Sequence, residues 1–336
     1  MKRFDIFGIG NALVDIEYRI TLDELEAFDL TKGMMTLVSA SRQEELLGAN
    51  TLKKSKDIKK SCGGSAANTL ATASILGSQT FFSFRVAEDL FGDLFCKELR
   101  LAEIEMEKIK RRPKGNTGTC LTLVTEDADR TMATHLGVTQ DISSKDVDFD
   151  AIKRSRQAYI EGYLVSNVSG FEAARATQEA AKESGTDLAV TLSDPGIVEN
   201  FKSEFETIID DGIDLIFCNL SEAKLLTREN DFEDCKKKME EIVPRFVITL
   251  GKHGSYAFDG KSGYTSQSRK INALDSTGAG DTFAGAFLHY TCRGYGYEQA
   301  NQISNIFASE IVQRWGARLP KETIKLLNDK RAGHLT

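Results

Sequence analysis

Residues 275–281 read Asp-Ser-Thr-Gly-Ala-Gly-Asp and join a glycine-rich loop to a carboxylate. The apolar, small-residue run 282–293 predicts a buried helix that begins where the glycines end. Backbone N–H groups at a helix N-terminus lack partners within the helix, and Gly278 and Gly280 let a negatively charged oxygen approach them. We expect Asp281 to take a proton from a hydroxyl that attacks this anion. The same residues also fit a glycine loop with an acidic cap.

Composition favours one large domain with an insertion. The chain has 336 residues, 41% of them hydrophobic and 28% charged, with four prolines and no Ser/Gly-rich linker. The net charge of −7 argues against nucleic-acid binding, because phosphate backbones are neutralised mainly by Lys and Arg. One lysine cluster between residues 53 and 60 is short, and we expect it to be a solvated face or loop.

The cysteines indicate a reducing compartment, and the cysteines and histidines together argue against a zinc site. Six cysteines and four histidines are scattered without paired spacing, which predicts reduced thiols and no zinc site. The first residues have no signal-peptide pattern, and no apolar stretch is long enough to cross a bilayer. We therefore expect a cytoplasmic protein without a membrane partner.

The pattern of predicted strands and helices indicates the fold class. From residue 158 onward, short β-branched runs alternate with helical patterns, which is typical of βαβ units. We expect an α/β fold with a doubly wound, mainly parallel sheet flanked by helices. The predicted core strands are 4–9, 80–85, 158–161, 188–192, 215–218 and 246–250, and a helix is predicted at 65–76.

Two segment pairs interrupt this rhythm and predict a second, small sheet. Residues 14–20 with 34–38, and 118–125 with 131–136, alternate like strands with no helix between them, and a turn at 126–129 joins the second pair. A small sheet inserted at the carboxyl edge of an α/β body would form a lid over a crevice. The predicted core is 1–13, 41–103 and 137–336, and the predicted lid is 14–40 and 104–136.

Two segments are similar to common phosphate-binding motifs but depart from them. The segment 8–13 lacks the third glycine of a dinucleotide fingerprint, and strand 14–20 follows where a helix is required. Gly260-Lys261-Ser262 is similar to the end of a P-loop, but a serine stands where the first glycine should be. We interpret 259–263 as a hairpin turn. Phosphate binding would therefore use neither motif.

Two segments near the N-terminus could bind a ligand with several hydroxyl groups. Glycines at 63–64 precede a helix that carries Asn68, which fits close approach of such a ligand or a simple helix start. Asp15 follows the first strand and points, by alternation, away from Val14 and Ile16. A lone aspartate at a strand end is also typical of a cap.

Two further segments end buried strands of the second half. Asn219 and Glu222 follow one strand at its carboxyl end, where ligands of open α/β sheets bind, although this spacing also fits a capping box. Residues 249–254 end the next strand in a glycine turn, which equally fits a hairpin.

Taken together and in this order, these motifs resemble those of the PfkB, or ribokinase-like, family of sugar and nucleoside kinases. The segment 63–68 resembles the first family signature, and 275–281 resembles the second. The motifs at 219–222 and 249–254 lie between them as in the family. The resemblance spans residues 15–317, and Ser276 replaces a commoner threonine while keeping the hydroxyl.

Within the family, the chain looks most like bacterial adenosine-kinase-like members. The residues that carry this likeness are 117–120, 129–132, 136–137 and 161–164. Ribokinases also place an acid near the sugar at the position of Glu161. That residue therefore does not separate a nucleoside from a free sugar.

The resemblance implies ATP-dependent transfer of the γ-phosphoryl group to a primary hydroxyl, and the favoured acceptor is the 5′-hydroxyl of a nucleoside such as adenosine. A free-sugar kinase for ribose, fructose or a related sugar is the alternative, and a non-catalytic sugar or nucleoside sensor is a distant one. Asp281 would be the base, and the amides of Gly278, Ala279 and Gly280 the anion hole. Glu222 would hold Mg²⁺ through water.

The resemblance also implies further contacts, a monovalent cation, and a monomer or homodimer. Arg130 is among the implied substrate-binding residues, and the alternative is that it is a solvated arginine of the hairpin. The implied substrate-binding residues are Asp15, Gly63, Gly64, Asn68, Glu161 and Arg130; the nucleotide-binding residues are Asn219, Thr249, Gly251, Gly254 and Asn305; and the residues near K⁺ are Asp275 and Thr277.

Overall fold

Two β-sheets organise the chain in the computed structural model, which describes residues 2–54, 58–107 and 112–332. Residues 1, 55–57, 108–111 and 333–336 belong to the predicted core or lid but lie outside the described residues, and so does Lys56 of the lysine cluster. The strands are β1 (Phe4–Ile9), β2 (Leu13–Arg19), β3 (Met35–Leu37), β4 (Ile58–Gly63), β5 (Thr80–Ser83), β6 (Ile104–Glu105), β7 (Thr117–Val124), β8 (Arg130–Gly137), β9 (Ser155–Ile160), β10 (Asp187–Thr191), β11 (Leu215–Asn219), β12 (Phe246–Thr249), β13 (Ser255–Phe258) and β14 (Gly263–Ser266).

Helices surround the larger sheet, and none of the described ones has the length and apolar character needed to span a membrane. The helices are α1 (Leu22–Glu26), α2 (Ala40–Leu47), α3 (Asn50–Lys54), α4 (Ser65–Ile75), α5 (Leu90–Leu101), α6 (Phe149–Lys153), α7 (Val168–Ser184), α8 (Pro195–Asn200), α9 (Lys202–Asp210), α10 (Leu220–Thr227), α11 (Phe232–Ile242), α12 (Ala279–Cys292), α13 (Tyr297–Ile311) and α14 (Lys321–Ala332). Short 3₁₀ turns lie at Val138–Asp141, Ser144–Asp146, Gly162–Ser166 and Gly251–His253.

The larger sheet has nine strands in the order β14-β13-β12-β11-β10-β9-β1-β5-β6. All neighbours from β12 to β6 are parallel, and β13 and β14 are antiparallel at one edge. One apolar cluster packs on each face, as expected for a sheet buried between helices. The predicted doubly wound α/β fold is confirmed, and the carboxyl ends of the parallel strands meet at one edge.

The second sheet has five strands in the order β3-β8-β7-β2-β4. The antiparallel pair β7–β8 confirms the predicted hairpin. The strands β2 and β3 do not pair with each other, and the short helix α1 lies between them where the sequence predicted no helix. Thr21 and Glu24 form a reciprocal capping box there, and this local pair starts α1.

Two boundaries of the predicted lid differ from the observed small sheet. Strand β4 belongs to the small sheet, although the sequence placed it in the core; its lysines resemble a solvated loop, and only pairing with β2 makes it a strand. Strand β6 pairs with β5 in the large sheet, although the sequence placed it in the lid. Its two residues are too few to show a strand pattern.

The structure confirms both alternatives to the phosphate-binding motifs. The segment after Gly10 continues as strand β2, so no helix begins where a dinucleotide fingerprint requires one. The residues 259–262 connect β13 to its antiparallel partner β14, as the hairpin interpretation predicts. The loop before α12 therefore remains the leading candidate for anion binding.

Helices α4 and α12 lie in close contact and carry the two signature segments. A Cβ added at Gly285 would collide with the Thr69 carbonyl oxygen of α4, so the helices need a glycine there to approach each other. This contact sets the position of the α4 N-terminus relative to the α12 N-terminus.

We expect Gly285→Ala to destabilise the protein by about 1–3 kcal/mol, because the added methyl group forces the two helices apart. Urea unfolding measures this change. Gly296→Ser is the control, since a Cβ there meets nothing within 4 Å and serine is also a good N-cap residue for α13, so its change should stay within about 0.5 kcal/mol. Equal stability of the two variants would contradict the close packing of α4 on α12.

Candidate active site

The N-terminus of α12 forms the centre of the site. Gly278 has a φ of 74°, and a Cβ there would collide with the carbonyl oxygen of Ala317. Gly280 differs, since a Cβ there would meet no atom within 4 Å. Gly278 is therefore required by the fold, whereas Gly280 leaves open space beside the free amides of the helix.

The loop before α12 is held by a buried carboxylate and by the small sheet. Asp275 is fully buried; its Oδ1 accepts from the Thr277 N–H and its Oδ2 from the Gly316 N–H, each at 2.8 Å. Arg130 Nη1 donates to the Ser276 carbonyl oxygen at 2.9 Å. Arg130 is half-buried, so the interpretation of a solvated hairpin arginine is wrong.

Asp281 lies in the first turn of α12 and is bound by α4. Ser65 Oγ donates to one carboxylate oxygen at 2.7 Å, and Asn68 Nδ2 donates to the other at 3.0 Å. Burial raises the pKa of Asp281, while these two hydrogen bonds and the charges of Arg130 and Arg318 oppose the rise. The carboxylate is thus oriented on both oxygens and is more basic than an exposed aspartate.

Asp281 and Thr277 line one pocket, which extends under the small sheet. The pocket also contains the carboxylates of Asp15 and Glu161, the amide of Asn68 and the guanidinium of Arg130, so with Asp281 the structure brings five of the predicted substrate and catalytic side chains together. Apolar side chains of the small sheet form the opposite wall: Leu13, Met35, Leu37, Met132 and Leu136.

Asp15 and the double glycine are coupled by close contact. A Cβ at Gly63 would collide with the Asp15 carboxylate, and one at Gly64, where φ is 89°, would collide with the Asn11 carbonyl oxygen. The first glycine makes room for Asp15, and the second lines the pocket. Burial, followed by the charge of Glu17, raises the pKa of Asp15 to about 8.

Glu161 is buried and held by three donors. It accepts hydrogen bonds from the N–H and the side-chain amide of Asn11, both at 3.0 Å, and from the Ala66 N–H at 2.8 Å. Burial raises the pKa of Glu161 to about 7 against these hydrogen bonds. Its position in the pocket is therefore fixed without a ligand.

A second pocket lies on the other side of the α12 N-terminus. Ala279 and Gly280 line it, together with four of the five predicted nucleotide-binding residues. Those four are Thr249, Gly251, Gly254 and Asn305. The helix N-terminus thus contributes residues to two pockets, one on each side.

Asn219 and Glu222 line neither pocket and form the capping box of α10. Asn219 Oδ1 accepts from the Glu222 N–H at 2.9 Å, while the Glu222 oxygens accept from Asn219 N at 2.9 Å and Nδ2 at 2.6 Å. Burial raises the pKa of Glu222 to about 7, with Asp194 adding to the rise and Arg130 opposing it. Because both oxygens are engaged, a metal role for Glu222 fits contact through water better than direct ligation.

Several residues of the site were not predicted. Ser65 precedes Asn68 by one helical turn, a spacing that could have indicated a shared target. Arg318 Nε donates to Asn68 Oδ1 at 2.8 Å, but no local motif marks it. The second pocket is also lined by Lys252 and Arg269, which give it positive charge. Among the described residues, no group of three or more His, Cys, Asp or Glu side chains could hold a metal ion.

Comparisons with known proteins agree with this geometry. A family model described as pfkB family carbohydrate kinase matches residues 24–324. Ribokinase of Staphylococcus aureus is 26% identical over 267 residues, covering 76% of this chain and 83% of the relative. A probable sugar kinase from Rhizobium etli superposes with a TM-score of 0.93 at 30% identity, covering 99% of both chains. Adenosine kinase from Sinorhizobium meliloti superposes with a TM-score of 0.92 at 29% identity, covering 98% of this chain and 99% of its own.

We expect Ser65→Ala to raise the pKa of Asp281 further, because the charged form of the carboxylate loses one of its two side-chain donors. NMR of isotope-labelled aspartate carboxyl carbons measures this titration, and Asp281→Asn identifies the signal. Ser74→Ala, on the same helix, should leave the titration unchanged. An unchanged or lowered pKa in Ser65→Ala would show that the hydrogen bond does not stabilise the carboxylate.

Proposed function

Because the chain belongs to the pfkB family of carbohydrate kinases, we propose that it transfers the γ-phosphoryl group of ATP to the 5′-hydroxyl of a nucleoside such as adenosine. The observation that carries this proposal is the position of the α12 N-terminus between two pockets. Asp281 faces the pocket with the acidic side chains, and Gly280 faces the pocket with the basic ones. A phosphoryl group passing between the pockets would meet the helix amides on its way.

Asp281 is the proposed general base. Its raised pKa makes it a better proton acceptor than an exposed aspartate, and Ser65 and Asn68 orient it toward the incoming hydroxyl. The amides of Gly278, Ala279 and Gly280 are the proposed anion hole, which stabilises negative charge on the phosphoryl oxygens. The buried carboxylate of Asp275 holds these amides in place before the substrates bind.

The second pocket is the proposed ATP site. Thr249, Gly251, Gly254 and Asn305 would contact the nucleotide, and Lys252 with its basic neighbours attracts the phosphates. Mg²⁺, when bound, neutralises charge between the β- and γ-phosphates. Glu222 would hold it through water, and Asn219 would lie near the phosphates. Since burial raises the pKa of Glu222 to about 7, a nearby dication would favour its charged form.

The first pocket is the proposed nucleoside site. Asp15, Asn68 and Glu161 would bind the ribose hydroxyls, with the backbone of Gly63 and Gly64 close by. The apolar wall from the small sheet suits the flat, weakly hydrated face of a base, which a free sugar does not offer. In this arrangement the small sheet is a lid that excludes water from the reacting phosphate. Arg130 would act through Ser276 on the loop.

A free-sugar kinase is the second candidate, and one observation favours it. The acidic end of the pocket provides carboxylates for hydroxyl groups whether or not a base is attached, and Staphylococcus aureus ribokinase is among the relatives. The two candidates differ only in what contacts the apolar wall.

A substrate panel separates these candidates. We expect ADP release to be fastest with adenosine or another nucleoside and slow with ribose or fructose. Only a nucleoside has a base that can pack against the apolar wall. The substitution Met132→Ser in that wall should raise KM for the nucleoside and leave KM for the free sugars unchanged. Preference for ribose or fructose would identify a sugar kinase. Binding without ADP release for every compound would indicate a sensor.

We expect Asp281→Asn to lower kcat by about 10²–10⁴-fold, because the amide cannot accept the proton of the attacking hydroxyl. ATP affinity, measured by titration calorimetry, should stay near that of the unmodified protein. Asp150→Asn, an exposed residue in the first turn of α6, is the control and should change neither quantity. A kcat within a few-fold of the unmodified value would remove the general-base assignment.

A further inference from the structure

Lys59 extends from strand β4 of the small sheet to residues 315–316, which bind the segment 275–280 at the N-terminus of α12, called the anion loop below. Its Nζ donates to the Trp315 carbonyl oxygen at 2.7 Å. A Cβ at Gly316 would collide with the same Nζ, so the ammonium group lies directly against residues 315–316. The Gly316 N–H in turn binds the Asp275 carboxylate. The solvated face predicted for the lysine cluster does not describe Lys59, which is half-buried.

Two buried acids lie within electrostatic range of this ammonium group. Glu17 is fully buried and is the cross-strand neighbour of Lys59 in the β2–β4 pair. Burial raises the pKa of Glu17 to about 7; the charge of Lys59 opposes the rise and that of Asp275 adds to it. Glu17 Oε2 has no hydrogen-bond partner among the described residues. Lys59 therefore supplies positive charge where two carboxylates are withdrawn from water, and Arg130 adds to it at Asp275.

The neighbourhood fits poorly with the K⁺ implied near Asp275 and Thr277. Both Asp275 oxygens already accept backbone N–H groups. The adjacent segment already binds an ammonium group through Trp315, and a second cation beside it would be repelled. The ammonium group of Lys59 thus provides the positive charge that would otherwise come from K⁺.

We propose that Lys59 is a built-in cation that orders the anion loop and makes the protein independent of K⁺. Lys59 is a positioning residue, since it acts through residues 315–316 and Asp275 on the amides of the loop. Its effect on the loop stands by itself, and only its effect on turnover depends on the proposed kinase function. Because the small sheet carries both Lys59 and Arg130, its position over the core also determines the order of the loop.

The single tryptophan of the chain, Trp315, reports on this contact without any substrate. Its fluorescence and the melting temperature are measured in potassium chloride and in choline chloride at equal ionic strength. We expect the unmodified protein to give the same values in both salts. In Lys59→Met, K⁺ should change the fluorescence and raise the melting temperature, because Glu17 and Asp275 then attract a cation from solution. Lys60→Met is the matched control, since its ammonium group lies over the Phe91 ring, and it should be as insensitive to K⁺ as the unmodified protein.

Turnover gives the second measurement. In choline chloride, kcat of Lys59→Met should fall about tenfold or more, because small misplacements of the reacting groups have effects of this size. Potassium chloride should restore most of the loss, and Lys59→Arg should retain activity without K⁺. A protein that is inactive on every substrate, yet shows the expected fluorescence pattern, would overturn the kinase proposal and support the role of Lys59.

A double variant covers the case in which Lys59→Met does not fold because Glu17 is left buried without its cation. Glu17→Gln with Lys59→Met removes both charges, and its response to K⁺ should be weaker than that of a folded Lys59→Met or absent. A K⁺ response in the unmodified protein would overturn the proposal. So would a Lys59→Met variant that folds, retains full turnover in choline chloride and ignores K⁺.

Discussion

The site depends on the burial of the Asp275 carboxylate between two chain segments. One oxygen binds the loop through Thr277, and the other binds Gly316, which is far along the chain. Breaking either bond would leave one buried carboxylate oxygen without a donor, so the two segments stay together. Gly278 can then pack on Ala317 only in a left-handed conformation, and this conformation starts α12 with its amides exposed.

Around this constraint, the site concentrates carboxylates whose pKa values are raised by burial. Asp15, Glu161, Glu222 and Asp281 all show the shift, although they lie on different elements. Groups of this kind gain most from a ligand that brings hydroxyl donors or a cation. The fold therefore maintains a site whose charges are best balanced when it is occupied.

Local features of the site could be predicted from the sequence, and long-range ones could not. The glycines and Asp281 stand within one loop, and Asn219 with Glu222 within one turn, so their spacing alone revealed them. Arg318 meets Asn68 only because the chain folds back over hundreds of residues. The large sheet followed from its β-branched runs, whereas β4 resembled a solvated loop because its lysines hide the strand pattern.

The connection between the two sheets has an evolutionary consequence. Three residues, 10–12, separate β1 of the large sheet from β2 of the small one. Asn11 within this connection binds Glu161, and a side chain at Gly10 would collide with the same carboxylate. Selection that changes the acidic end of the pocket therefore also acts on the connection 10–12 between the sheets. Ligand preference and the placement of the small sheet would have to diverge together in descendants of this chain.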